Sequence, residues 1–557
     1  MLSSLPPRRL LVLRTLVAIV AGAALGMAYP PYDLPLLAPL AVAALLVALR
    51  GTSVRSGALV GAAFGIAWYA VLVPWLSVIG GDAAIALAIL EGLFYGVFGA
   101  LASQALRIRG WALWVPALWV ATEFATASVP FGGFPWGRLA WAFAGSDVGR
   151  YAAWIGVPGV SFLIALIGTL VYGAAWSRQR LSQRLRWVAG VAAVLLVLGA
   201  SAVPLPAAEP ANGRHVAAAI VQGNVPGKGM DFLGEARTVT RNHLAATEQL
   251  ARDVTSGSER RPDVVIWPEN STDIDPFRDP ETRADIETAV RAVGVPILVG
   301  AVLDGPGENE RQTTGLVWDP VTGPGEIYAK RHPVPFGEYI PFRDQLLPYI
   351  KRLEMVGRQT APGSKPGVLR IGDVTYGDVI CFEIAYDGVV ADVMKGGAQI
   401  LVVQTNNATY AGTGQPDQQF AITRLRAIET GRSVLIASTN GISGVIGPDG
   451  RIEHKSKQSV ADTYVALVPP RDDRTLATVL GPWPQWILAG LGLLGAVLAL
   501  LGRRRRGGAV VKGRRLAASA APATGPATGP AAEPAGPEEH LQTAGAGGTE
   551  TRRESDT

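Results

Sequence analysis

Eight apolar segments, each near the length that crosses a lipid bilayer, restrict this chain to a helical membrane protein with one large polar insertion. They run from Leu10 to Ala28, Leu34 to Leu49, Val54 to Ile79, Ala83 to Leu106, Trp111 to Ala127, Tyr151 to Trp176, Trp187 to Val203 and, after a long gap, Trp483 to Leu501. The second is short and Pro116 interrupts the fifth, so both read as tilted or half-spanning, and the count of seven before the gap is good to about one. Arg8 and Arg9 ahead of the first segment imitate the start of a secretory signal, but the segments that follow make a retained span the better reading. A chain that is 49% hydrophobic and only 17% charged agrees.

Arginine sets the expected orientation, because cationic connections stay on the cytoplasmic side. Arg8, Arg9 and Arg14 flank the first span, Arg50 and Arg55 follow the second, Arg107 and Arg109 the fourth, and Arg178, Arg180, Arg184 and Arg186 the sixth. The connection from Ser128 to Arg150 is the exception, with Arg138 and Arg150 amid aromatic residues such as Phe134 and Trp136. Seven spans starting inside deliver Pro204 to the outer face, and the last span has Trp483 and Trp486 at one end and Arg503 to Arg506 at the other. The expected domains are a membrane domain over residues 1–203, an extracytoplasmic lobe over 204–481, a final transmembrane helix over 482–502 and a disordered cytoplasmic tail over 503–557. That tail is rich in Ala, Pro, Gly, Thr and Glu and cannot bury enough apolar surface to order itself. Glu91 and Glu123 fall within apolar spans; each reads either as a functional group or as a hydrogen-bonding residue between helices.

The polar insertion alternates strand and helix. Strands are expected at His215 to Gln222, Asp263 to Trp267, Pro296 to Leu303, Thr314 to Trp318, Leu369 to Ile371, Val374 to Ile380, Gln399 to Gln404, Val434 to Ser438, Ser443 to Ile446 and Tyr464 to Leu467. Helices are expected at Phe232 to Val254, Asp279 to Val293, Gly388 to Lys395 and Asp417 to Thr430. The pattern gives a polytopic α-helical membrane domain plus an α/β domain. The net charge of +5 does not imply nucleic acid, because the basic residues cluster beside the apolar segments and in the tail.

Cys381, the only cysteine, follows the apolar run Val374 to Ile380. Disulfides within the chain are therefore excluded, and the thiol reads either as a small buried hydrophobe or as a strand-end nucleophile. Two other residues favour the nucleophile. Trp267-Pro268-Glu269 closes the run Val264 to Ile266 with a carboxylate, and Tyr328-Ala329-Lys330 places an ammonium ahead of a proline-punctuated stretch. Taken singly, Glu269 could be a surface acid and Lys330 a solvated cation. Together they suit acyl transfer, with Glu269 taking the thiol proton, Cys381 attacking a carbonyl carbon and Lys330 holding the oxyanion. His215, His243, His332, His454 and His540 lack metal-site spacing, so no metal and no cofactor are expected; His332, beside Lys330, reads as a proton carrier or a surface residue.

The order Trp267-Pro268-Glu269, then the stretch from Tyr328 to Arg343, then Gly377 to Gly388, resembles the nitrilase (carbon-nitrogen hydrolase) superfamily with its Glu-Lys-Cys triad. Placed between seven spans and one, it resembles the apolipoprotein N-acyltransferase family. Gln222-Gly223-Asn224, Arg424 to Arg432, Thr439-Asn440-Gly441 and, among the spans, Pro116 to Trp119 with Glu123 and Gly133 to Trp136 fit the same likeness. The resemblance implies a nitrilase-like αββα sandwich and a ping-pong reaction. A phospholipid donates an acyl chain to Cys381 as a thioester, and the N-terminal amine of a diacylglyceryl-modified lipoprotein accepts it. It also implies that Glu338 supports Lys330, that Glu383 lines the pocket, and that Phe232 stands in for a tryptophan that helps close the site in relatives. Its implied place is the bacterial plasma membrane, with the catalytic lobe outside. A region that often reads SNDAWF in relatives is Thr405 to Tyr410 here, without the acid and the indole. Two rival readings are a membrane-anchored amidase or lipid hydrolase with water as acceptor, and a non-catalytic sensor or transporter.

Overall fold

The computed structural model describes residues 6–176, 183–207, 213–225, 227 and 237–519. Helices occupy all seven of the early apolar segments: α1 (Pro7–Gly26), α2 (Leu37–Leu49), α3 (Val54–Leu72), α4 (Gly81–Ala105), α5 (Trp111–Thr126), α6 (Ala152–Trp176) and α7 (Gln183–Leu198). Among the described residues, five helices are long and apolar enough to cross a membrane: Pro7–Gly26, Val54–Leu72, Gly81–Ala105, Asp147–Ala175 and Trp483–Gly502. Leu37–Leu49 and Val188–Ala202 are apolar but shorter. The third segment is α-helical only to Leu72, because Pro74 cannot donate into the ladder and forces the residue before it out of helical geometry, and a short 3-10 helix, Pro74–Val78, follows. Gly156 (φ 68°) breaks α6 near its start, two residues before Pro158.

Small residues bring α3 and α4 into backbone contact. A Cβ on Gly61 would lie 2.1 Å from the Tyr95 carbonyl oxygen, and one on Gly99 2.3 Å from that of Gly57. Lipid offers no hydrophobic drive between helices, so this close approach supplies the packing instead. Ile85, Ile89, Leu93 and Val97 form an exposed apolar stripe along α4, whereas Glu91 is buried. Glu123 accepts hydrogen bonds from Trp119 Nε1 (3.0 Å) and from the Leu139 amide (2.9 Å), tying α5 to the turn that follows it.

The lobe holds two sheets. Its strands are β1 (Val216–Gln222), β2 (Val264–Ile266), β3 (Ile297–Asp304), β4 (Glu310–Asp319), β5 (Gly323–Ala329), β6 (Gln359–Thr360), β7 (Val368–Ile371), β8 (Val374–Asp378), β9 (Ile400–Thr405), β10 (Val434–Ser438), β11 (Gly444–Ile446), β12 (Ile452–Lys455) and β13 (Asp462–Val468). The first sheet runs β13-β1-β2-β3-β4-β5 with β6 beside β4, and the second runs β12-β11-β10-β9-β8-β7. β1, β2 and β3 are mutually parallel, as are β8, β9 and β10, with antiparallel strands outside them. These central strands are buried on both faces, which is why they read as unbroken apolar runs.

Alternate side chains serve different layers. Val216, Ala218, Ile220 and Leu298 of the first sheet meet Tyr376, Ile400, Val402 and Leu435 of the second between the sheets. Ala219, Val221 and Val299 face the helices Thr238–Ser256 and Pro280–Val293. Val403, Ile436 and Ile446 face the helices Asp387–Lys395 and Gln415–Thr430, and this core is continuous with that of α1 to α6. The result is an αββα sandwich whose second helical layer packs against the membrane helices. β5, β6 and β12 were not expected; β5 and β12 are partly exposed edge strands without an apolar run. Residues 504–519 are helical. Residues 520–557 lie outside the described residues.

Candidate active site

Three strand ends deliver the central side chains. Pro268 ends the ladder of β2 and Glu269 follows it; Gly300 of β3 must be glycine here, since a Cβ would sit 1.9 Å from the Pro268 carbonyl oxygen. Lys330 follows β5, with its amide on the Thr313 carbonyl at 2.9 Å. Both side chains are buried, and Lys330 Nζ donates to Glu269 Oε1 at 2.8 Å and to Glu338 Oε1 at 3.0 Å. Glu338 also accepts from the Val334 amide at 2.6 Å, so the loop it belongs to folds around the ammonium.

Cys381 sits just past the end of β8 and opens the turn Cys381–Ala385. Its φ of 56° lies in the left-handed region that a side chain rarely adopts, a backbone strain of roughly 1–3 kcal/mol. The strand was expected to reach Ile380; ending it at Asp378 allows the chain to turn sharply and present the thiol. Two consecutive residues at the end of β9 hold nucleophile and carboxylate in register. Thr405 Oγ1 donates to Cys381 Sγ at 3.2 Å, and the Asn406 amide donates to Glu269 Oε2 at 2.8 Å. Gln419 Nε2 in turn donates to Thr405 Oγ1 at 3.0 Å.

Burial and the neighbouring Glu269 push the Cys381 thiol up to about 12, against the pull of Lys330. Burial likewise raises Glu269 above the usual carboxylate range, with Lys330 opposing it and Glu338 adding to it. Burial alone would lower Lys330, but Glu269 and Glu338 hold its ammonium well above the ordinary value. The resting site thus keeps a neutral thiol beside a carboxylate able to take its proton and a permanent cation.

Glu383 is completely buried and its carboxylate is fully occupied. It accepts from Tyr328 Oη (2.8 Å), from the Ile380 amide (3.0 Å), and from the amides of Arg331 (2.7 Å) and His332 (2.9 Å). It therefore clamps the cysteine turn to the lysine segment. His332 stacks on Tyr386 at 4.4 Å. Phe232 lies outside the described residues. Thr405 and Tyr328 escaped the sequence reading; Thr405 is the first hydroxyl after the apolar run of β9, a signal visible only once that strand end is aligned with Cys381.

The membrane part reaches the site directly. Phe134 and Trp136 stack on Phe382, the neighbour of Cys381, at 5.6 and 5.4 Å. Gln418 accepts from Trp75 Nε1 (2.9 Å) and Trp136 Nε1 (2.7 Å) and donates to the carbonyls of Leu72 (2.8 Å) and Pro30 (3.0 Å). Arg138 pairs with Asp387 at 2.6 Å, and Asp387 with Arg426 at 2.7 Å.

The two facing sheets carry a buried carboxylate and ammonium and a half-buried thiol, and residues 217–474 match the carbon-nitrogen hydrolase family model. Residues 21–170 match the model of the apolipoprotein N-acyltransferase N-terminal domain. An apolipoprotein N-acyltransferase of Mycolicibacterium smegmatis is 36% identical, covering 89% of this chain and 88% of its own. One from Gloeobacter violaceus is 29% identical over 90% of this chain and 96% of its own. A solved amidase from Nesterenkonia sp. aligns with 46% of this chain and 92% of its own at 18% identity and a TM-score of 0.34. The chain belongs to the apolipoprotein N-acyltransferase family.

Proposed function

We infer that this membrane protein N-acylates lipoproteins by a two-step transfer through Cys381, with a membrane phospholipid as acyl donor. Glu269 takes the thiol proton as Cys381 sulfur attacks the ester carbonyl, and Lys330 balances the charge on the carbonyl oxygen. The ester C–O bond breaks, Glu269 returns the proton to the departing lysophospholipid oxygen, and the acyl chain remains as a thioester. The terminal amine of a diacylglyceryl-cysteine then attacks that carbonyl and loses a proton to Glu269. The C–S bond breaks, and the sulfur recovers the proton as the amide leaves.

The observation that carries this reading is the convergence on one buried point of Glu269, Lys330 and, through Thr405 and Asn406, Cys381. Phe382, beside the nucleophile, packs on aromatic residues of the membrane part, which suits lipid substrates and limits water at a thioester. Glu338 shares the Lys330 ammonium with Glu269 in this scheme, and Glu383 holds the cysteine turn. The distribution of arginine among the connections supports a multi-pass chain with the lobe on the extracytoplasmic side. Purified protein in nanodiscs, given labelled phospholipid and a diacylated lipopeptide, is expected to yield N-acylated peptide and lysophospholipid in equal amounts. Free fatty acid as the main product, with no acylated peptide, rejects the transfer.

A further inference from the structure

Asp378 ends β8 three residues before the nucleophile and is completely buried. Neither of its carboxyl oxygens has a hydrogen-bond partner among the described residues. Gln404, on β9 and also completely buried, has an amide oxygen in the same condition. Its orientation is settled by its other end, because Gln404 Nε2 donates across the sandwich to the Trp267 carbonyl at 2.6 Å and points at the Leu298 carbonyl at 3.3 Å. The two orphaned oxygens are neighbours above one glycine of the first sheet. A Cβ on Gly315 would lie 2.0 Å from Asp378 Oδ2 and 2.7 Å from Gln404 Oε1.

Two buried acceptors side by side, with no donor, repel each other and leave both unsatisfied. One proton on Asp378 Oδ2 ends the repulsion and gives Gln404 Oε1 a donor, leaving unpaired only the neutral carbonyl oxygen Oδ1, which costs less to bury than a carboxylate. We propose that Asp378 is a positioning residue kept protonated, donating to Gln404 Oε1 so that the Gln404 amide clamps the Trp267 carbonyl and fixes Glu269 against Cys381. The strut joins the strand end that precedes the nucleophile to the strand end that precedes the carboxylate. Its surroundings favour the neutral acid: burial, the Glu383 carboxylate from the cysteine turn and the Glu269 carboxylate from the opposite sheet hold Asp378 well above the usual carboxylate range, against the weaker pull of the adjoining Val379 amide, which is spent on the Val402 carbonyl at 2.9 Å. Tyr328 of β5, the other titratable group that senses Asp378, brings no positive charge. Ionisation would place a third anion in the same interior.

The inference rests on Glu269 and Cys381 acting as base and nucleophile, but its test includes readouts that do not depend on turnover. In the full-length protein, infrared difference spectra between wild type and Asp378→Asn near neutral pH are expected to show a protonated carboxyl C=O band that the variant lacks. Asp378→Asn keeps a donor for Gln404 and is expected to hold kcat within about threefold of wild type, whereas Asp378→Ala lowers it about 10- to 100-fold with KM little changed. Since the folded acid keeps its proton to higher pH than the unfolded one, wild type loses stability as pH climbs above the ordinary carboxylate range, and Asp378→Asn loses less. Absence of the band, or an Asp378→Asn variant as impaired as the alanine variant, overturns the proposal. Should Asp378→Ala fail to fold, the wild-type and asparagine pair still decides.

Discussion

The two helical layers of the sandwich hold equivalent places and meet different surroundings. On the first sheet, Thr238–Ser256 buries five of its 19 residues and Pro280–Val293 carries exposed Arg283–Glu287 pairing. On the second, Gln415–Thr430 buries twelve of its 16 residues, among them Gln415, Gln418, Gln419, Thr423 and Arg426. The first is an amphipathic helix held by an apolar stripe. The second is covered on both sides, and its buried amides and guanidinium are matched group by group to the membrane part and to the site. Apolar packing specifies the first layer, while directional hydrogen bonds specify the second and set the position of Cys381 relative to the membrane helices.

That contrast can be broken most strongly at Arg426. Its guanidinium pairs with Asp387 and Glu429 and donates to the Ile384 and Ala385 carbonyls in the cysteine turn. Arg426→Met takes a buried cation from two half-buried acids and a donor from each of two carbonyls, and is expected to cost about 3–5 kcal/mol in denaturant unfolding, with activity falling in parallel. Where the same helix meets the site, through Gln419 on Thr405 of β9, Thr405→Val removes the hydroxyl beside Cys381 Sγ. It should lower kcat about tenfold while Thr405→Ser stays near wild type, as read by steady-state acyl transfer.

A third test uses pH. Glu269 must be ionised to accept the thiol proton, so activity is lost as pH falls through its folded value, which burial and then Glu338 place above the ordinary carboxylate range. Glu338→Gln removes one of the groups raising it, and the acid limb of kcat/KM is expected to move to lower pH; a limb that moves upward contradicts the assignment. The smallest effect belongs to the exposed layer. Arg283→Ala loses the Glu287 pair and a contact over Trp318 and is expected to change stability by no more than about 0.5 kcal/mol, with activity unaltered.

The same contrast explains what could be read from the sequence. The central strands of both sheets and the residues Glu269 and Cys381 announce themselves because apolar runs end in a polar residue there, while Lys330 stands out by the proline-punctuated stretch that follows it. β5 and β12 give no such sign, being edge strands whose exposed side chains break the pattern. The end of α3 at Leu72 was legible in Pro74 but obscured by the apolar residues that continue to Ile79. Glu383 shows another limit: it makes four hydrogen bonds, and nothing local to the cysteine motif reveals the partners Tyr328, Arg331 and His332. Asp378 and Gln404 look like ordinary strand residues until Gly315 brings them together.

Intact-protein mass spectrometry tests the covalent step most directly. Wild type incubated with phospholipid alone is expected to gain the mass of one acyl group, mapped to Cys381 and discharged when the diacylated lipopeptide is added, while Cys381→Ala gains none. An adduct that resists the lipopeptide, maps elsewhere or persists in Cys381→Ala contradicts the account.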